Sequence, residues 1–422
     1  MDSGVLCFSP KKWGKNFTIL KLYFIFVKKK RQTEGGVRMI PRELQEIIKK
    51  RASQFPFVAV TGPRQSGKST LLRNIFKDYD YVSLEDLDER DLAERDPRAF
   101  IRMHPDKVIL DEAQRVPGLF SYLQTHTDEV GRTGMYILSG SQNFLLMEKL
   151  GQSLAGRVAL LDLLPFSHSE LKAARMLPYS LDEEIFTGGY PRIFDKEIPP
   201  TDFYPSYLRT YVERDLRTLK NVGNLNLFVK FLKLCAGRIG QLLNESSLAN
   251  ECGVSTPTIN SWLSVLEASF ILYRLRPDFR NFNKRVVKTP KLYFYDTGLA
   301  CSLLEIDSAS QLKSHFARGS LFENLVINEF MKGSLNQGKE PRLSFWRDNV
   351  GHEVDLIQDR GGKPYAYEIK SAETFNWEFL DNLNFWGKIS GYPHEQKAIL
   401  YAGAKEMSLT EANVIPWEKL AF

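Results

Sequence analysis

Cysteine and histidine are scarce in this 422-residue chain, with four of one and six of the other. Cys7, Cys235, Cys252 and Cys301 are scattered, with no C-x-x-C pair and no neighbouring histidine pairs. That spacing argues against a disulfide framework or a zinc site and fits a reducing, cytoplasmic setting. The histidines form no ligand cluster either. Long apolar runs are missing too: the stretch Phe17 to Val27 is short and contains Lys21, whereas a bilayer span needs roughly 20 apolar residues. No transmembrane helix is expected. Net positive charge is missing from the body of the chain. The formal charge is +6, yet residues 1–38 hold nine Lys/Arg against Asp2 and Glu34, which leaves the remainder close to −1. A pI near 8.9 therefore describes the tail and is no sign of a basic groove.

The tail, residues 1–38, reads in three ways. It has the outline of a signal peptide, but Lys28-Lys29-Lys30-Arg31 is wrong for a cleavage site. An apolar stretch beside a basic cluster also suits a membrane-surface anchor. The preferred reading is an upstream extension of a chain that starts at Met39, so the segment is set aside for fold reasoning.

What is present is a phosphate-binding loop. Gly62-Pro63-Arg64-Gln65-Ser66-Gly67-Lys68-Ser69-Thr70 fits G-x-x-x-x-G-K-[ST]. The apolar run Phe57 to Val60 precedes it as a buried strand, and Leu71, Leu72, Ile75 and Phe76 follow at helical spacing. Strand, loop and helix start together aim backbone N–H groups at a phosphate chain. Lys68 is expected on the β- and γ-phosphates of ATP, and the Ser69 hydroxyl on Mg2+. A glycine-rich turn that binds nothing is the bland alternative.

The segment Lys107 to Leu110 is a second apolar strand, ending in Asp111-Glu112. Asp111 is expected to hold Mg2+ and Glu112 to polarise the attacking water. Two acids capping the next turn would look the same in isolation. A third strand, Gly134 to Leu138, leads into Ser139-Gly140-Ser141-Gln142-Asn143, where Asn143 and Ser141 are candidate γ-phosphate sensors. Arg157, in Ser153-Leu154-Ala155-Gly156-Arg157, would stabilise transition-state charge in cis or across an oligomer interface. It would equally serve as one half of a surface ion pair.

Beyond the ATPase, residues 168–186 look helical and residues 203–220 form a connector helix containing Glu213-Arg214-Asp215. That charged run reads as a helix salt-bridge set, with a nucleotide-facing arginine as the alternative. Glu245 to Cys252, the turn Gly253-Val254-Ser255 and the helix Thr256 to Glu267 make a helix-turn-helix pattern. The runs Phe270 to Leu275 and Val286-Val287 would supply the wing strands. The second helix presents Ser255, Thr256, Thr258, Asn260 and Ser261 but no Lys or Arg, the residues on which DNA contacts lean. Arg274, Arg276, Arg280, Lys284, Arg285, Lys288 and Lys291 follow and would grip phosphates of duplex DNA. A winged helix that docks a protein partner is the rival.

Near the C-terminus, Asp355 on one strand and Glu368-x-Lys370 on the next have the spacing of a PD-(D/E)xK nuclease core. Strand alternation puts Glu368 and Lys370 on one face. Asp355 and Glu368 would bind Mg2+ while Lys370 orients water, with Glu323 on the helix Leu321 to Met331 as an extra acid. On spacing alone these residues read equally as a salt-bridge set on a hairpin.

The order GPRQSGKST, VILDEAQ, ILSGSQN, SLAGRV, LLPFSHSEL, GGYP and YVERDL resembles prokaryotic AAA-type ATPases joined to a C-terminal domain of unknown function. PKLYFYDTGLA, GSLFENLVINEF, FWRDNVGHEVDLI and AYEIKS resemble that C-terminal region, so the likeness runs from about residue 40 to about 375. The resemblance implies ATP binding, ATP hydrolysis and a homo-oligomer, and it favours the nuclease-like fold at the C-terminus. Such domains also persist as inactive binding modules.

The expected architecture is α/β: a basic tail over 1–38 and an AAA-like P-loop NTPase with a parallel sheet over 39–200. A connector at 201–221, a winged-helix-like module at 222–295 and a restriction-endonuclease-like PD-(D/E)xK domain at 296–422 complete it.

Overall fold

The computed structural model describes residues 40–141, 154–214, 224–280 and 286–420. The 1–38 tail, Asn143, Asp215 with the rest of the connector, Lys284 and Arg285 lie outside the described residues.

The first half is built on five short apolar strands: β1 (Phe57–Thr61), β2 (Asp80–Ser83), β3 (Val108–Asp111), β4 (Tyr136–Gly140) and β5 (Val158–Asp162). All pair in parallel, in the order β2-β3-β4-β1-β5. Strands β1, β3 and β4 are buried along their whole length, as a parallel sheet covered on both faces requires. One face packs Phe57, Leu110, Phe120 and Leu138; the other packs Ile48, Val58, Leu72 and Ile137. Because β4 lies between β1 and β3, its tip falls between the phosphate loop and the paired acids.

The region expected as one helix over 168–186 is two, His168–Ala173 and Leu181–Thr187. The connector helix runs Pro200–Arg214. Helices Glu245–Cys252 and Thr256–Ala268 are joined through Gly253, whose φ of 70° closes the first helix in the left-handed region. The hairpin after them is β6 (Leu272–Leu275) with β7 (Lys291–Phe294), antiparallel. The second strand is thus not Val286-Val287: Val286 makes only an isolated bridge to Asp348.

The last module starts with the long helix Arg318–Asn336. It continues through β8 (Leu343–Arg347), β9 (Glu353–Arg360), β10 (Lys363–Lys370), the helix Asp381–Ser390, β11 (Lys397–Tyr401), β12 (Met407–Ser408) and β13 (Asn413–Pro416). Strands β8, β9 and β10 form an antiparallel meander, and β11 adds in parallel to β10 after the helical crossover. One apolar core runs from Leu164 through the helix-turn-helix residues Phe231 and Trp262 to Tyr367 and Trp417, so the later modules share a core. The long helix fastens them to the ATPase part. Glu329 accepts from the His168 backbone N–H at 2.8 Å, Lys332 donates to the Phe166 carbonyl at 2.9 Å, and Asn336 donates to Glu43 at 3.0 Å. Among the described residues no helix is long and apolar enough to cross a membrane.

Candidate functional site

The phosphate loop takes its shape from glycine. Gly62 has φ 147°, and a Cβ there would lie 2.1 Å from the Leu163 carbonyl oxygen, so no other residue fits. Gly67, at φ 93°, starts the helix Lys68–Ile75. Lys68 is buried, and its ammonium donates to the loop carbonyls of Gly62 and Pro63, both at 2.8 Å. Burial pushes this lysine down to about 8, with Glu112 and Asp111 opposing the shift.

Asp111 ends β3 as a convergence point. It accepts from Ser69 Oγ at 2.8 Å and from the Tyr81 hydroxyl at 2.5 Å, and Ser139 Oγ donates to its other oxygen. The expected magnesium residues Ser69 and Asp111 are therefore in direct contact. Glu112 follows in the left-handed region, φ 53° and ψ 42°, a conformation costing roughly 1–2 kcal/mol for a residue with a side chain. The turn sends its carboxylate to Ser141 Oγ, 3.2 Å away, and to Gln114.

A residue that sequence reasoning missed holds this loop. Arg42 donates to the Ser66 carbonyl at 2.9 Å, to the Leu164 carbonyl at 2.6 Å and to Glu170 at 2.9 Å, and stacks on Phe166 at 4.7 Å. Glu170 also completes a capping box with Ser167. The loop is thereby tied to the end of the ATPase sheet. Tyr81 and Ser139 were missed too; the position of Ser139 in β4, two residues before Ser141, was the available signal.

Arg157 is not brought to the loop. Its carbonyl accepts from the Phe57 N–H at the amino end of β1, about 13 Å of strand from the loop. Its guanidinium pairs with Asp128 at 2.7 Å. The surface ion pair, one of its two readings, is what the chain adopts.

The second set of acids does come together. β9 and β10 pair only as far as Leu356 and Tyr367. Beyond that point Asp355 accepts from the Ile369 N–H at 2.8 Å, where the strands part. Lys370 reaches Glu368 at 2.6 Å and Asp355 at 3.9 Å. Asn382 adds a weak contact to Glu368 at 3.4 Å. Glu323 projects from the long helix and accepts from Tyr293 Oη. Burial, reinforced by Asp355, pushes Glu368 up to about 8, and burial raises Glu323 to about 7 against the pull of Lys291. Among the described residues, no three His, Cys, Asp or Glu side chains stand as a ready metal site.

Three of the five described residues of the basic stretch expected to grip phosphates are committed elsewhere. Arg274 pairs with Glu267 at 2.8 Å and Arg280 with Asp278 at 2.9 Å. Lys291 is 2% exposed and lies between Glu323, at 3.3 Å, and Glu353. Their charge is neutralised within the chain.

Residues 54–172 match the profile of the AAA domain family. Those bounds enclose the phosphate loop, the β3 acids and the β4 tip, so the chain carries an AAA-type ATPase domain. Residues 179–310 and 318–420 match two domains of unknown function, DUF8612 and DUF4143. Uncharacterized proteins of Mycobacterium bovis and Mycobacterium tuberculosis are each 29% identical over 338 residues, 79% of this chain and 74% of theirs. Among solved structures, a Walker-type ATPase of Pyrococcus abyssi is 14% identical with a TM-score of 0.41, covering 63% of this chain and 96% of its own. AMPPCP-bound DnaA from Aquifex aeolicus is 13% identical with a TM-score of 0.29, covering 53% of this chain and 85% of its own.

Proposed function

We propose that the chain is a Mg2+-dependent ATP hydrolase that couples nucleotide turnover to the binding or processing of DNA by its C-terminal half. The contact between Ser69 and Asp111, with the Lys68 ammonium in the same loop, carries the hydrolase reading. The donor set suits magnesium: a hydroxyl and a carboxylate already adjacent, both on oxygen. Bound there, the ion would supply charge neutralisation for the β- and γ-phosphates.

The chain's own groups divide the remaining work. Lys68 exchanges the Gly62 and Pro63 carbonyls for phosphate oxygens, and the loop N–H groups orient the phosphate chain. Glu112, aimed by Ser141 and Gln114, accepts the proton of the attacking water. Tyr81 and Ser139 keep Asp111 in place. A charge-stabilising role for Arg157 would need a second copy of the chain to present it.

For the C-terminal half, the helix, three-strand meander, crossover helix and parallel strand support a nuclease-like fold, with Glu323, Asp355, Glu368 and Lys370 near one strand divergence. The helix-turn-helix and the β6–β7 hairpin support a winged helix. A second reading, a nucleotide-dependent switch that docks a protein partner, is favoured by one observation: Arg274, Arg280 and Lys291 are spent on internal carboxylates. ATP turnover measured with and without duplex DNA over a salt series separates the two. Stimulation that falls steeply with salt supports the DNA reading; turnover indifferent to DNA supports the switch.

A further inference from the structure

The C-terminal acids already hold two cations, both part of the chain: Lys370 on Glu368 and Asp355, and Lys291 on Glu323. Lys291 enters from β7, a strand of the hairpin rather than of the sheet that carries Asp355 and Glu368. Its ammonium lies 3.3 Å from Glu323 and in contact with Glu353, and it sits 5.4 Å from the centre of the Phe345 ring. Two strand positions on, Tyr293 donates to the same Glu323 carboxylate. One oxygen of Glu368, Oε2, is buried and has no hydrogen-bond partner, and Glu368 itself is 2% exposed. The other oxygen already accepts from Lys370 at 2.6 Å; a buried carboxylate oxygen without a donor is costly, and a further cation able to approach it would offset that cost.

Lysine so deeply buried is rare unless paired. Here the pairing is with the extra acid expected to complete a metal site. A divalent ion bridging Glu323 and the Asp355/Glu368 pair would have to take Glu323 from Lys291, since two cations on one buried carboxylate repel strongly.

We propose that Lys291 is a tethered counter-ion that occupies the Glu323 side of the C-terminal acid site, so that divalent-metal binding through Glu323 and seating of the β7 hairpin strand exclude one another. The proposal rests on the nuclease-like reading of that sheet. The module as it stands is a latched form, and withdrawal of β7 opens the site to metal.

The test is a count of bound Mn2+ on the full chain without nucleotide, read from the electron paramagnetic resonance of the free ion. Lys291→Met keeps the stem and removes the charge. It is expected to gain a Mn2+ site roughly tenfold or more tighter than any in the wild-type C-terminal module, and Lys291→Met/Glu323→Gln is expected to lose it. A folded Lys291→Met chain with the wild-type count overturns the proposal. The wild-type chain gives a reading independent of any variant: Mn2+ that binds in a Glu323-dependent manner while the Lys291–Phe294 amides keep their hydrogen-exchange protection also overturns it. Metal gained by Lys291→Met without nicking of DNA leaves the latch standing and removes the nuclease reading instead.

Discussion

Arg42→Met removes the guanidinium that ties the phosphate loop to the rest of the fold, while keeping a stem to pack on Phe166. Arg42 and Glu170 have side chains only 5% and 1% exposed. Breaking a buried ion pair by removing one partner costs about 3–5 kcal/mol, because the other charge is stranded. Glu170 keeps the Glu43 and Ser167 N–H groups as donors, at 2.9 and 3.0 Å, which places the loss near the lower end, about 3 kcal/mol. The Ser66 and Leu164 carbonyls lose their donor as well. Loss of the tether at Ser66 loosens the loop itself, and ATP affinity is expected to fall roughly tenfold, or about 1.4 kcal/mol. Urea denaturation followed by circular dichroism reads the first quantity, and calorimetric titration with MgATP reads the second. Arg42→Met/Glu170→Gln should regain part of the stability, since no charge is stranded, but none of the ATP affinity. Wild-type stability and affinity in Arg42→Met would refute the reasoning.

Other perturbations have equally definite outcomes. Lys68 sits at about 8 in the free chain because burial opposes its charge. Phosphate would raise it again, so binding takes up a proton above pH 8, and ATP affinity should fall about tenfold between pH 7 and pH 9. A flat titration over that range, or no proton uptake in buffers of different ionisation enthalpy, contradicts this. Glu112→Gln should bind MgATP normally and hydrolyse it roughly 10²–10⁴-fold more slowly; an unchanged rate in single-turnover assays assigns the base elsewhere. Gly62→Ala forces a Cβ against the Leu163 carbonyl and should abolish nucleotide binding in the same titration. Lys370→Ala should remove any Mg2+-dependent nicking and leave ATP turnover intact; nicking that survives points to another source.

The parts legible in the sequence were those encoded by neighbouring residues. The loop from Gly62 to Thr70 and the Asp111-Glu112 strand tip declare themselves because the chemistry needs a fixed local spacing. The β4 tip was legible as a place, yet Ser139 was overlooked, because which hydroxyl turns toward Asp111 depends on strand order. Arg42 was invisible for a different reason: its partners Ser66 and Glu170 lie 24 and 128 residues away. Lys291 shows the limit most clearly. In the sequence it is one more basic residue in a basic stretch, and only the packing of β7 beside the long helix and the start of β9 gives it two carboxylates, Glu323 and Glu353. The second wing strand was misplaced for the same reason, since pairing decides where each strand falls.

The measurement closest to the central claim is Mg2+-dependent ATP turnover by the purified chain, beside Lys68→Ala and Glu112→Gln. The account predicts turnover in the wild type, loss of ATP binding in Lys68→Ala, and binding without turnover in Glu112→Gln. Turnover that persists in Lys68→Ala, or a wild type that neither binds nor hydrolyses ATP, would contradict it.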